Sequence, residues 1–275
     1  PDAQDKSGLA VDGHGVMYGN TDDKNFSHYE AGADHFINLL FTFDPAGKLT
    51  GAVVNIPCPS QNSEMEYKIS ADYWADVRQA IRAKHGDIFI LPQCAAAGDL
   101  SPRILHYHKA QQRRMRLKYD ADYASIEDAE EKRFVKCMAG RKDIAERILL
   151  AVKDIYSWAS KEIYTEPELR HKMEKITIQK RLVTDEEAQE CRDKLAELET
   201  LEPKREDYTD EEYRKAASRY TSVKNRQLRG LERYEKQMED PVIHTVVHAV
   251  RVGEIAFASN RFEMYQDYMH RIQGR

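Results

Sequence analysis

The sequence is short of several things, and each shortage excludes something. It holds only four cysteines in 275 residues, Cys58, Cys94, Cys137 and Cys191. No two stand as a Cys-x-x-Cys pair, which excludes a cysteine-only zinc knuckle. Four thiols in so long a chain do not make a disulfide scaffold, so reduced and mostly buried cysteines are expected. No run of about 18 apolar residues occurs, so no transmembrane segment is expected. The opening residues Pro1 to Ser7 are polar and carry no signal-peptide core. Positive charge is not in excess, the formal net charge being -5. A global basic field for nucleic acid is therefore excluded. There is no Gly-x-Ser-x-Gly elbow and no evident Ser-His-Asp order.

What is present is enough apolar sequence for one large domain or two small ones, with 41% hydrophobic residues. The 32% of charged residues is unevenly spread, and the chain reads as three blocks.

Block one, residues 1–108, opens in turn-rich sequence around Asp12-Gly13 and Tyr18-Gly19. Two apolar runs follow, Phe36 to Phe43 and Leu49 to Ile56, joined by Asp44-Pro45-Ala46-Gly47, which predicts a hairpin. Pro57 and Pro59 stop the second strand. Asp72 caps a helix over about Tyr73 to Lys84, with Trp74, Val77 and Ile81 on its buried face and Gly86 at its end. Ile88 to Leu91 is a short apolar strand. Strand, helix, strand predicts a crossover unit in a sheet covered by helices.

Block two, residues 109–240, is a charged, helix-rich insertion. Arg141 to Lys161 carries Ile144, Ile148, Val152, Ile155 and Trp158 on one stripe. Thr184-Asp-Glu-Glu and Thr209-Asp-Glu-Glu each start a helix, the first ending near Pro203 and the second near Met238. Lys175 to Val183 alternates as a strand does. The basic run Gln111 to Arg116 is read as a solvated helix face, since no aromatic residues interleave with it. Block three, residues 241–275, predicts a return hairpin over Ile243 to Ser259 about Gly253, then a helix over Phe262 to Ile272. The fold class expected is α/β (α+β mixed): a mixed sheet left near residue 93 and rejoined near 242.

Strand ends followed by loops are where such sheets place sites. Three loops qualify: Asn55 to Gln61, Gln93 to Pro102, and Ser259 to Glu263. In the second, the small residues and Gly98 let backbone approach a ligand, and glycine tolerates positive φ. Ser101 needs an activator before its hydroxyl can attack. On spacing alone, Ser101-Pro102 is a helix cap with proline in the first turn. Candidate metal donors are His35, Cys58, His106, His108, His244, His248 and Glu263. His244 and His248 in a strand would lie about 13 Å apart, too far for one ion, and are read as sheet residues.

The runs Gly51-Ala-Val-Val-Asn55-Ile-Pro-Cys58, Ile69-Ser-Ala-Asp72-Tyr-Trp, Gln93-Cys-Ala-Ala-Ala-Gly98-Asp99-Leu-Ser101-Pro102-Arg103 and Ala258-Ser-Asn260-Arg-Phe-Glu263-Met-Tyr resemble the neutral/alkaline non-lysosomal ceramidase family in order and spacing. The likeness is good in blocks one and three and loose in block two. It implies a zinc amidohydrolase that cleaves the N-acyl bond of a lipid-like amide, in a secreted or periplasmic setting. It implies catalytic roles for Ser101 and Asp99, substrate contacts from Gln93, Gly98 and Arg103, and zinc ligation by Cys58 and Glu263. Cys58 stands where the family has a zinc histidine, and the family's His-x-His-Ser-Gly-Pro element is absent here. The resemblance therefore implies that residues 1–275 are a single but partial catalytic-type domain, inactive alone. The alternatives are a non-catalytic glycan- or lipid-binding domain that has lost the zinc site, and a helical interaction module built on block two.

Overall fold

The computed structural model describes residues 4–5, 8–10, 24, 26–29, 32–66, 68–103 and 107–274. The fold is mixed α/β, in two compact units: Pro1–Glu166 with Phe262–Arg275, and Pro167–Arg261. No helix among the described residues is long and apolar enough to cross a membrane. The early turn-rich loops and His106 lie outside the described residues.

The first unit holds two short antiparallel pairs besides the main sheet. Strand β1 (Gln4–Asp5) pairs with β7 (Leu100–Ser101), and β2 (Gly8–Ala10) with β3 (Phe26–Tyr29). The main sheet has three strands in the order β4 (Asn38–Phe43), β5 (Leu49–Ile56), β6 (Phe89–Cys94). β4 and β5 form the expected hairpin, and β6 runs parallel to β5 after a helical crossover. That crossover is α1 (Tyr73–His85). Asp72 caps it from a left-handed φ of 53°, a conformation that costs about 1–3 kcal/mol in a non-glycine residue. The strain is offset by its buried carboxylate, which accepts from the Tyr73 N–H at 2.8 Å and from the Ser63 N–H and hydroxyl at 2.7 and 2.6 Å.

The core lies between this sheet and two helices, α1 and α3 (Ala129–Ala159). Val54, Val77 and Ile81 are wholly buried in it, with Ile148 and Val152 from α3. The helices cover one face only, and Phe89 and Leu91 on the other face are 68% and 41% exposed. α3 starts well before the expected Arg141, at an Asp128 cap whose carboxylate accepts from the Glu131 N–H. Its first turns pack on α2 (His108–Tyr119) in a separate cluster of Met115, Ala121, Tyr123 and Ala139. Those turns therefore do not continue the isoleucine stripe. At the other end Trp158 is exposed rather than buried.

The second unit begins with β8 (Leu169–Gln179), earlier than the strand expected from Lys175. Helices α4 (Asp185–Glu199) and α5 (Asp210–Lys236) follow, each opened by a complete capping box, Thr184 with Glu187 and Thr209 with Glu212. β9 (Val242–Val252) and β10 (Ile255–Ser259) form the expected hairpin. The expectation that this hairpin rejoins the first sheet is corrected. β9 pairs along its whole length with β8, making a separate antiparallel sheet in the order β10-β9-β8. The physical reason is that β8 offers an unpaired edge of matching length. The return to the first unit is made by residues 262–275, in which α6 (Gln266–Gln273) starts later than Phe262.

Candidate functional site

Because β5 and β6 are parallel and in register from Gly51–Phe89 to Ile56–Cys94, their C-terminal ends lie side by side. The loops that follow leave the same sheet edge, and the Ala95 N–H donates to the Ile56 carbonyl at 2.9 Å. The third loop joins them. Gly98 N–H donates to the Met264 carbonyl at 2.9 Å, and the Asp99 carboxylate accepts from the Gln266 N–H at 3.1 Å. The three segments singled out in the sequence thus meet in the first unit.

Gly98 is needed for close approach. A Cβ there would stand 2.5 Å from the Glu263 carbonyl oxygen and 2.7 Å from the Tyr265 ring. Its φ is not among the positive ones, so the expected use of left-handed backbone does not apply. Asp99, 3% exposed, sits at the N-terminus of α6, where a carboxylate satisfies end N–H groups and the helix dipole.

Ser101 is 1% exposed. It lies in a strand, not at a helix N-terminus, and its hydroxyl oxygen accepts from the Arg103 N–H at 3.2 Å. The helix-cap expectation fails because Leu100 and Ser101 pair with Asp5 and Gln4, which local spacing cannot reveal. Arg103 pairs with Glu64 at 2.5 Å. Gln93 is half-buried on β6, opposite Asn55.

Cys58 packs against the main core. Burial pushes its thiol up to about 12, only partly opposed by its hydrogen bond with Tyr73. Its carbonyl accepts from the Tyr73 hydroxyl at 2.6 Å and from the Cys94 thiol at 3.6 Å. Cys94 is also pushed up, first by desolvation and, among other causes, by the nearby Glu263 carboxylate. A crevice of ≈ 50 Å³ is lined by both Cys58 and His35, room for water but not for an acyl chain.

Zinc, which the resemblance implies, needs deprotonated thiolate and commonly four donors. Burial disfavours the Cys58 thiolate, and no group of three or more His, Cys, Asp or Glu side chains gathers among the described residues. These residues do not fit the ion by themselves. His244 and His248 bond across the second unit's sheet, His244 Nδ1 to Thr177 Oγ1 at 3.1 Å and His248 Nδ1 to His171 Nε2 at 2.9 Å.

Two residues escaped the sequence reading. Tyr73, wholly buried, holds the Cys58 loop through its hydroxyl. Gln266, 1% exposed, ties three segments together: its N–H reaches Asp99, its Nε2 donates to the Ala96 carbonyl, and its Oε1 accepts from the Asp34 N–H at 2.9 Å. The pattern of an amphipathic helix start was the only local sign of it. Comparison with protein-family models, curated proteins and solved structures finds no match for this chain.

Proposed function

We propose that the chain is a ceramidase-like hydrolase domain acting on the N-acyl amide bond of a lipid-like substrate, with its site at the C-terminal edge of β5 and β6. The observation that carries this reading is the meeting of the Cys58, Gly98–Arg103 and Glu263 segments through buried hydrogen bonds. In this reading Ser101 faces the reacting carbonyl, Asp99 and Gly98 hold the Glu263 segment against it, and Gln93 and Arg103 contact substrate. Cys58 and Glu263 are the zinc ligands the resemblance implies for this chain, and a full set needs donors beyond the described residues.

In this reading residues 1–275 are only part of the catalytic domain, so the test is hydrolysis of an N-acyl-sphingosine carrying a fluorescent acyl chain by the protein extended at both ends of these residues, with zinc supplied and with Ser101→Ala as control. Turnover lost in Ser101→Ala supports the reading. A folded, zinc-supplied extended protein with no turnover overturns it. One observation favours a second reading, a non-catalytic lipid- or glycan-binding domain: Ser101 is buried and its hydroxyl is already engaged. Stoichiometric, tight zinc binding in a titration would reject that reading.

A further inference from the structure

On the side of the first unit where α2 faces α3 there is a cavity of ≈ 310 Å³, within the size range of small-molecule sites. Two helical stripes build it. From α2 come His108, Gln111, Gln112 and Met115, at the i, i+3, i+4, i+7 spacing of one face. From α3 come Arg133, Lys136, Gly140 and Asp143, which share a face in the same way. Gly140 keeps the wall thin, since a Cβ there would lie 3.0 Å from the Asn62 amide oxygen. Asn62 is in turn fixed by donating to the Cys137 carbonyl at 2.8 Å.

The lining has two characters. Met115 and Tyr123 are buried, and with Pro102 and Ile144 they give an apolar floor. Arg103, Arg133 and Lys136 give a cationic wall, with the Gln111 and Gln112 amides beside it. The carboxylates nearby do not cancel that wall. Asp143 is already surrounded by Arg114, Lys118 and Arg147. Glu64 and Glu66 each engage one edge of a guanidinium, on Arg103 and Arg133, and a guanidinium carries five donors in a fixed fork. The cations named around the cavity outnumber the carboxylates.

We infer that this cavity is a binding site for a small amphipathic anion, a carboxylate with an apolar stem. The anionic head lies against Arg133 and Lys136, and the stem lies on Met115 and Tyr123. The inference does not rest on the hydrolase reading, because it concerns binding without turnover.

The test is calorimetric titration of the 275-residue chain with octanoate, octylamine and inorganic phosphate, repeated on Lys136→Glu. Lys136 is exposed, so the variant is expected to fold, and circular dichroism checks that it does. The expected result is saturable octanoate binding that weakens about tenfold or more in Lys136→Glu, with no binding of octylamine. Octanoate binding that is absent, or unchanged by Lys136→Glu, overturns the site. Equal binding of octylamine removes the role of the cationic wall. Phosphate binding as tight as octanoate binding removes the role of the apolar floor.

Discussion

The two units are built on different physics. The first buries a continuous apolar core, with Val54, Val77 and Ile81 fully enclosed between a sheet and two helices. In the second, every residue of β8 except Ile176 is exposed, and the buried side chains of α4 are only Ala188 and Leu198. It is held by a long cross-strand ladder, two capping boxes and paired side chains such as Tyr234 on Asp185. Burial stabilises the first unit in proportion to area removed from water, whereas the second depends on many local contributions of about 1 kcal/mol or less. The meeting loops are mounted on the unit with the stronger core, as positioning within a fraction of an ångström requires.

The comparison is most exposed to a core truncation. Ile81→Ala in the first unit is expected to cost about 2–5 kcal/mol, measured by chemical denaturation, while amide exchange in β8 and β9 stays unchanged. Parallel loss of protection in both units would break the distinction.

Next comes charge within the first unit. Burial disfavours the ionised Asp143, yet Arg114, Arg147, Tyr119 and Lys118 together hold its carboxyl below the usual carboxylate range. A depressed folded-state value means stability that is present above the unfolded value of about 3.9 and is lost as pH falls below it. Asp143→Asn is expected to cost about 2 kcal/mol at neutral pH, discounted for partly exposed partners. It should also flatten the acid limb of the stability profile. An unchanged limb would show that other carboxylates carry it.

Gly98→Ala is expected to cost about 1–3 kcal/mol through overpacking against the Glu263 carbonyl and Tyr265. Exchange protection should fall in α6 before it falls in β5. Smallest are the caps of the second unit. Thr184→Ala and Thr209→Ala should each cost about 1 kcal/mol, confined to α4 or α5. A loss several times larger would mean that the second unit is more cooperative than its sparse burial implies.

The same contrast explains what the sequence made legible. Local chemistry was readable: the Asp72 and Thr-Asp-Glu-Glu caps, the Asp44 to Gly47 turn and the Gly253 hairpin all occur where their residue types require them. Long-range pairing was not. Nothing in Ile243 to Val252 names β8 as its partner rather than the first sheet, because both offer strands of suitable composition. Ser101 reads locally as a cap for the same reason, its strand partner lying at the far N-terminal end. For the site, the meeting of the loops after β5 and β6 follows from their parallel order, whereas the Glu263 segment arrives through its bonds to Gly98 and Asp99 and not through sheet pairing. Whether their side chains gather around one ion depends on rotamers and burial. There Cys58 turned toward the core, an outcome a motif does not encode.

The bond between Asp99 and Gln266 joins residues 167 positions apart. Closing a loop of that length is entropically costly, but the cost grows only as the logarithm of the span, about 0.6 kcal/mol per doubling. Most of the intervening chain belongs to a unit with its own local start signals, so it can collapse early and shorten the effective span. The expected order therefore has the candidate site completed last, when α6 docks against Gly98. Its assembly therefore reports on the order of folding: a kinetic phase seen by a probe in α6 and missing from a probe in β5 would time the moment at which the site comes into being.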